Sequence, residues 1–141
     1  MSPPFVHHHR VRFDEVDAAG LAYFAHFFRW CHDAMEAMLG PLEGGYSALV
    51  AQRRLGLPAV HVEADFSSPL KFGDEVLVTV CVERIGTSSC ALRFELDHPD
   101  GRHVATVRHV VAFIDLNALR SRALPVDLRA LLEGHMATSG P

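Results

Sequence analysis

The chain has 141 residues, 49% of them hydrophobic and 21% charged, with a formal net charge of -4. That is room for one domain with a modest core, taken here as residues 1–141 with its core at about 5–135, and no room for a large two-domain enzyme. A weakly acidic chain whose basic residues stand singly or in pairs lacks the positive field that holds nucleic acid or an anionic membrane, so neither is an expected partner.

The N-terminal "MSPPFVHHHR" has no basic segment followed by an apolar one, so no secretory signal is expected. In "FVHHHRVRF" Val11 and Phe13 alternate with Arg10 and Arg12, which predicts a first strand. His7 and His9 would share a strand face, but two ligands without an acid or cysteine beside them rarely hold a metal, and no metal is expected. "FDEVDAAGLAYF" then sets Asp14, Glu15 and Asp17 in front of an apolar run. Over residues 21–39 the polar residues His26, Arg29, Asp33 and Glu36 recur at steps of three and four, which predicts a helix wrapped on most sides, with one polar stripe and a solvated Arg29–Asp33 pair. Those polar groups exclude a membrane span. Gly40 and Pro41 end the helix.

After a short amphipathic piece, "YSALVAQRRLGLP", four strand-like runs follow: "AVHVEADF", "DEVLVTVCVERI", "SSCALRFELDH" and "HVATVRHVVAFIDL". Short turns between them, including Asp100-Gly101, predict an antiparallel meander. "PVDLRALLEG" predicts a C-terminal helix and "HMATSGP" a frayed, disordered tail. One strand, one long apolar helix and at least four more strands make an α+β domain. A single sheet buries such a helix by curving around it. The sheet keeps two edges, so self-association is expected. Cys31, Cys81 and Cys90 are an odd number without C-x-x-C spacing, which signals neither a disulfide framework nor a zinc ribbon and fits a reducing cytoplasm.

"VRFDEVDAAGLAYFAHFFRW", with its D-x-x-G-x-x-[YF] core, closely resembles the start of the hotdog-fold acyl-CoA thioesterases of the 4-hydroxybenzoyl-CoA thioesterase type. "SPLKFGDEVLVTVCVERIGTSSCALRFEL" resembles the central hairpin of the same family, and the order of elements matches over about residues 11–115. The resemblance implies a curved antiparallel sheet of about five strands around a long central helix, and hydrolysis of an acyl- or aroyl-CoA thioester. It makes Asp17 the catalytic carboxylate and the helix N-terminus around Gly20 and the Phe24 amide the oxyanion site. It implies no cofactor beyond the CoA of the substrate, and a homodimer, often a homotetramer, with sites between protomers. Some relatives carry basic residues at the central hairpin for the CoA phosphates. "RIGTSS" offers Arg84 alone, leaving Lys71, Arg93, Arg120 or Arg122 for that task, or an acyl-carrier-protein thioester as the substrate.

A thioester needs little acid assistance, because its leaving thiolate is weakly basic. One carboxylate acting as base or nucleophile, with donors aimed at the developing oxyanion, suffices. The chain has no G-x-S-x-G elbow. Free N–H groups in a helix's first turn stabilise a carbonyl oxygen that is becoming negative, and Gly20 leaves room there. The residues alone leave Asp17 equally open to a capping role. Asp14 and Glu15 read as solvated loop residues, with Glu15 also a candidate contact to substrate or a neighbouring subunit. His26 reads as a structural histidine or a holder of water, Tyr23 and Phe27 as core or acyl pocket, and His61 and Glu63 as contacts across a dimer interface. Cys31 reads as an inert buried thiol. The alternative from another class is a non-catalytic acyl-thioester-binding domain of the same fold.

Overall fold

The structure, a computed structural model, describes residues 4–136. In chain order it has β1 (Phe5–Arg10), a 3-10 turn (Phe13–Glu15), α1 (Ala25–Met38), α2 (Gly45–Ala51), β2 (Leu55–Gly56) and β3 (Ala59–Phe66). There follow β4 (Glu75–Ile85), β5 (Ser89–Asp97), β6 (His103–Ala112), β7 (Ile114–Asp115), β8 (Arg120–Ser121) and α3 (Val126–Glu133). β4, β5 and β6 are the alternating runs of the sequence, and each buries alternate residues: Val76, Val78, Val80 and Val82, then Cys90, Leu92, Phe94 and Leu96, then Ala105, Val107, His109 and Val111. The inward face meets α1, whose Phe27, Trp30, Cys31, Ala34, Met35 and Met38 are buried. Each large side chain so buried contributes roughly 1.5–3 kcal/mol of apolar transfer. This is the expected α+β hotdog architecture: a five-stranded antiparallel sheet, in the order β1-β4-β5-β6-β3, around a central helix.

Several expectations need correction. The first strand forms in "FVHHHRVRF" as expected, paired from Phe5↔Val80 to Arg10↔Glu75, but it stops at Arg10 and does not include the Val11–Phe13 alternation. Phe13 lies in the 3-10 turn and is 79% exposed. The four strands are not one meander either. β1 already occupies the second edge of β4, so β3 crosses to the far side and pairs with β6, Val62 opposite His109.

The helix begins at Ala25 and not Leu21, because residues 21–23 spend their amides sideways. The Leu21 amide reaches Asp17 Oδ1 at 3.4 Å, the Ala22 amide donates to the Leu70 carbonyl, and the Tyr23 amide donates to the Glu15 carbonyl. Helical bonding starts only when the His26 amide reaches Tyr23 O at 3.0 Å. Finally, α1 is less wrapped than its composition suggests: Arg29, His32 and Glu36 are exposed. His32 and Glu36 make the i, i+4 contact at 2.9 Å, while Arg29–Asp33 is not among the ion pairs of the described residues.

α3 packs through Leu128 and Leu132, and Arg53 holds Asp127 with two hydrogen bonds of 2.6 and 2.9 Å. His135 and Met136, expected to fray, are engaged: the Val82 amide donates to the His135 carbonyl, and Met136 bridges Val82. The rest of the expected tail, 137–141, lies outside the described residues. No described helix is long and apolar enough to cross a membrane.

Candidate active site

The segment between the 3-10 turn and α1 folds back on itself. Val16 pairs with Ala22, the Asp17 amide donates to Leu21 O at 2.9 Å, and the Gly20 amide donates to Asp17 O at 2.9 Å. Closing so short a turn requires a left-handed residue, which Gly20 supplies at φ +80°. Asp17 stabilises the turn with its own side chain: Oδ1 accepts the Ala19 amide at 2.9 Å and the Leu21 amide at 3.4 Å. It therefore caps a loop turn and does not cap α1. Its second oxygen, Oδ2, accepts no hydrogen bond from the described residues and remains available.

Asp17 also lines a cleft of about 380 Å³, together with Leu21, Ala22, Phe24, Phe27 and the segment Phe66 to Leu70. One of its walls is aromatic: Phe66 meets Phe27 edge-on with ring centroids 5.1 Å apart, and meets Phe24 at 6.5 Å. At its rim α1 begins, and among the described residues the Phe24 and Ala25 amides donate to no backbone carbonyl. Two free N–H groups at a helix N-terminus, next to a carboxylate and an aromatic wall, form an arrangement suited to acyl transfer.

Two residues upstream the chemistry is reversed. Glu15 is only 6% exposed, against the expectation of a solvated loop residue. Its Oε1 accepts from His9 Nε2 and the Arg12 amide, both at 2.8 Å, and its Oε2 from Trp30 Nε1 at 2.7 Å. Burial alone raises its pKa, but the hydrogen bonds from Trp30, Arg12 and His9, with the charge of His9, outweigh burial and hold the carboxyl below its usual range. Glu15 closes a second, polar cavity of about 300 Å³, with His9, Arg12, Asp14, His26, Arg29 and Asp33.

A family model described as the thioesterase-like superfamily matches residues 11–132. The chain belongs to the thioesterase-like superfamily. A 1,4-dihydroxy-2-naphthoyl-CoA hydrolase of Synechococcus sp. (strain CC9311) is 34% identical to this thioesterase over 132 residues, 87% of this chain and 85% of the relative. The solved thioesterase-superfamily structure from Jannaschia sp. CCS1 superposes at TM-score 0.87 with 29% identity, covering 98% of this chain and 99% of that one. The dynemicin thioesterase superposes at 0.86 with 29% identity, covering 97% and 100%.

Within the thioesterase, the cleft brings together Asp17, Phe24 and Phe27 of the expected residues, with Gly20 in the turn beside it. Tyr23 turns away, half-exposed against Phe24 and His26. His26 and Glu15 line the polar cavity instead. His61 and Glu63 pair with each other at 2.9 Å on exposed β3, outside the cleft of their own chain. The sequence reading missed Phe66, Ser67, Ser68 and Pro69. Their signal was the break after "AVHVEADF", where an apolar residue on a strand end runs into Ser-Ser-Pro. It missed also the His9–Glu15–Trp30 bonding, which joins residues up to 21 positions apart and leaves no local pattern.

Proposed function

We propose that this thioesterase hydrolyses an aroyl-CoA, with Asp17 as general base or nucleophile and the Phe24 and Ala25 amides as the oxyanion site. The observation that carries the reading is the one cleft that Asp17, a carboxylate with an oxygen left unbonded, lines together with the aromatic wall of Phe24, Phe27 and Phe66. Flat rings pack favourably, edge to face or offset, against such a wall. The thioester carbonyl then points at the two unspent amides, whose positive field stabilises the oxygen as it becomes negative. Asp17 either takes a proton from the attacking water, or adds to the carbonyl carbon itself to give a mixed anhydride that water then hydrolyses to the free acid and the regenerated carboxylate; on both routes the thiolate leaves without a dedicated acid. Relatives named for a dihydroxynaphthoyl-CoA favour a bicyclic hydroxyaroyl group over 4-hydroxybenzoyl.

The reading includes a homodimer, open to further pairing into a homotetramer. Its support is the free edge of the sheet at β3, where Val60, Val62 and Phe66 are 63, 43 and 48% exposed. An uncovered apolar edge strand is a template for strand addition. In that dimer His61 and Glu63 face the partner's cleft. Three free cysteines, two of them buried, support a cytoplasmic setting.

Thiol release from a panel containing 1,4-dihydroxy-2-naphthoyl-CoA, 4-hydroxybenzoyl-CoA, benzoyl-CoA and straight-chain acyl-CoAs tests the substrate. The bicyclic ester should show the highest kcat/KM, and a preference for long straight chains sinks the aroyl reading. Sedimentation equilibrium should give a dimer or tetramer that Val62→Lys shifts towards monomer.

A further inference from the structure

We propose that Glu15 is the positioning residue of this active site, a buried carboxylate that fixes both the Asp17 turn and the aromatic wall of the cleft. The inference rests on the reading of Asp17 as the reacting carboxylate, and it concerns a residue that touches neither cleft nor substrate.

Four separate elements meet at this one side chain and its backbone. His9 comes from β1, the Arg12 amide from the chain leading into the 3-10 turn, Trp30 Nε1 from α1, and the Tyr23 amide, which donates to the Glu15 carbonyl at 2.9 Å, from the far end of the turn. Residues 16–22 thus hang between two points that Glu15 itself pins, with Asp17 one residue inside the pinned end. A second line runs through the rings. His9 lies against Trp30 with centroids 4.7 Å apart, Trp30 against Phe27 at 4.9 Å, and Phe27 is a wall of the cleft.

The donor inventory explains why the residue must be an ionised acid. His9 Nε2, the Arg12 amide and Trp30 Nε1 face the two oxygens, and a carboxylate accepts all three. A glutamine has one accepting oxygen and one donating nitrogen. If the nitrogen faces Trp30, it meets an indole N–H that can only donate. If it faces the other side, His9 can change tautomer, but the Arg12 amide cannot. No orientation of Gln satisfies the set. An aspartate is one methylene too short to span from Arg12 to Trp30.

The test is a set of variants assayed on 1,4-dihydroxy-2-naphthoyl-CoA, with Tm measured on each. Glu15→Gln, almost unchanged in shape, should lower kcat roughly 10- to 100-fold while KM stays within about 3-fold, as expected when a reacting group is displaced by an ångström or less. Trp30→Phe, which removes a single donor and leaves the carboxylate, should lose about 3- to 10-fold in kcat, and it carries the test if Glu15→Gln does not fold. The deciding measurement repeats Glu15→Gln in the Asp17→Asn background. A residue acting through Asp17 has little left to disturb there, so the further loss should be under about 3-fold. A folded Glu15→Gln enzyme with unchanged kcat overturns the proposal. So does an equal loss in both backgrounds, which would mean that Glu15 supports the fold at large. Failure of the Asp17 reading looks different: Asp17→Asn alone would keep full activity.

Discussion

Glu15 and Asp17 are two carboxylates two residues apart in one loop, and the fold treats them in opposite ways. Glu15 is buried and accepts three hydrogen bonds from three elements. Asp17 is exposed and lines an apolar cleft, with one oxygen committed to its own turn and the other free of hydrogen bonds from the described residues. A buried carboxylate with both oxygens engaged by protein donors can hold a structure but presents no free oxygen to a substrate. One that is half filled is oriented and still reactive. The division of labour follows from satisfaction, and charge alone does not reveal it.

The largest expected effect breaks the reactive half of the pair. Asp17→Asn keeps an oxygen for the Ala19 and Leu21 amides, so the turn should survive and Tm should move by less than about 2 °C. It removes the base or nucleophile, and kcat should fall by roughly 10²- to 10⁴-fold. Retained activity in thiol-release kinetics would mean that some other group does the chemistry.

The next largest breaks the satisfied half. Trp30→Phe leaves Glu15 Oε2 facing apolar ring atoms in a buried site, at a cost of about 1–3 kcal/mol for the unmet acceptor. Chemical denaturation should show that loss as a lower midpoint with an unchanged slope.

A titration sharpens the comparison further. The folded pKa of Glu15 lies below its ordinary value of 4.5, so its stabilising contribution is complete above that value and is lost as pH falls through the folded pKa. His9, Arg12, Asp14, His26, Arg29 and Asp33 share the cavity wall, so the informative quantity is the difference between wild type and Glu15→Gln. That Tm difference should not shrink between about pH 7 and 5, where any charge on His9 only adds to it, and should shrink below 4.5. A difference that shrinks between pH 5 and 7 would mean a raised pKa and a carboxyl that burial has won over.

Most of the fold was legible because it rests on local periodicity. The period-2 runs became β4, β5 and β6, whereas D-x-x-G singled out Asp17 and Gly20 without showing that they form a turn of their own ahead of the helix. What was illegible depends on distant pairing. Nothing in "AVHVEADF" says that it joins β6 and not β4; that follows from β1 having taken the free edge of β4. Nothing near Glu15 announces Trp30 fifteen residues on, so a buried acid read as a solvated one. The helix start was misplaced for the same reason: apolar composition continues through Leu21 and Ala22, but the Ala22 amide is spent on Leu70, a residue 48 positions away.

The smallest expected effect concerns the residue that closes the Asp17 turn. Gly20 closes the Asp17 turn at φ +80°, and a Cβ placed there meets nothing within 4 Å. Crowding therefore does not explain the glycine in a single chain, whereas backbone conformation does. Gly20→Ala should cost about 1 kcal/mol, the strain of an L-residue in the left-handed region, and lower Tm by roughly 3–6 °C. The open space around it separates two accounts of that position. If the turn alone matters, kcat and KM should change together by no more than about 3-fold, since the Asp17 Oδ1 bonds still define the loop. If substrate passes over the backbone here, the added methyl should raise KM for the bicyclic ester well beyond that, with kcat at saturation retained, because an obstruction met on binding is not an interaction lost in the transition state.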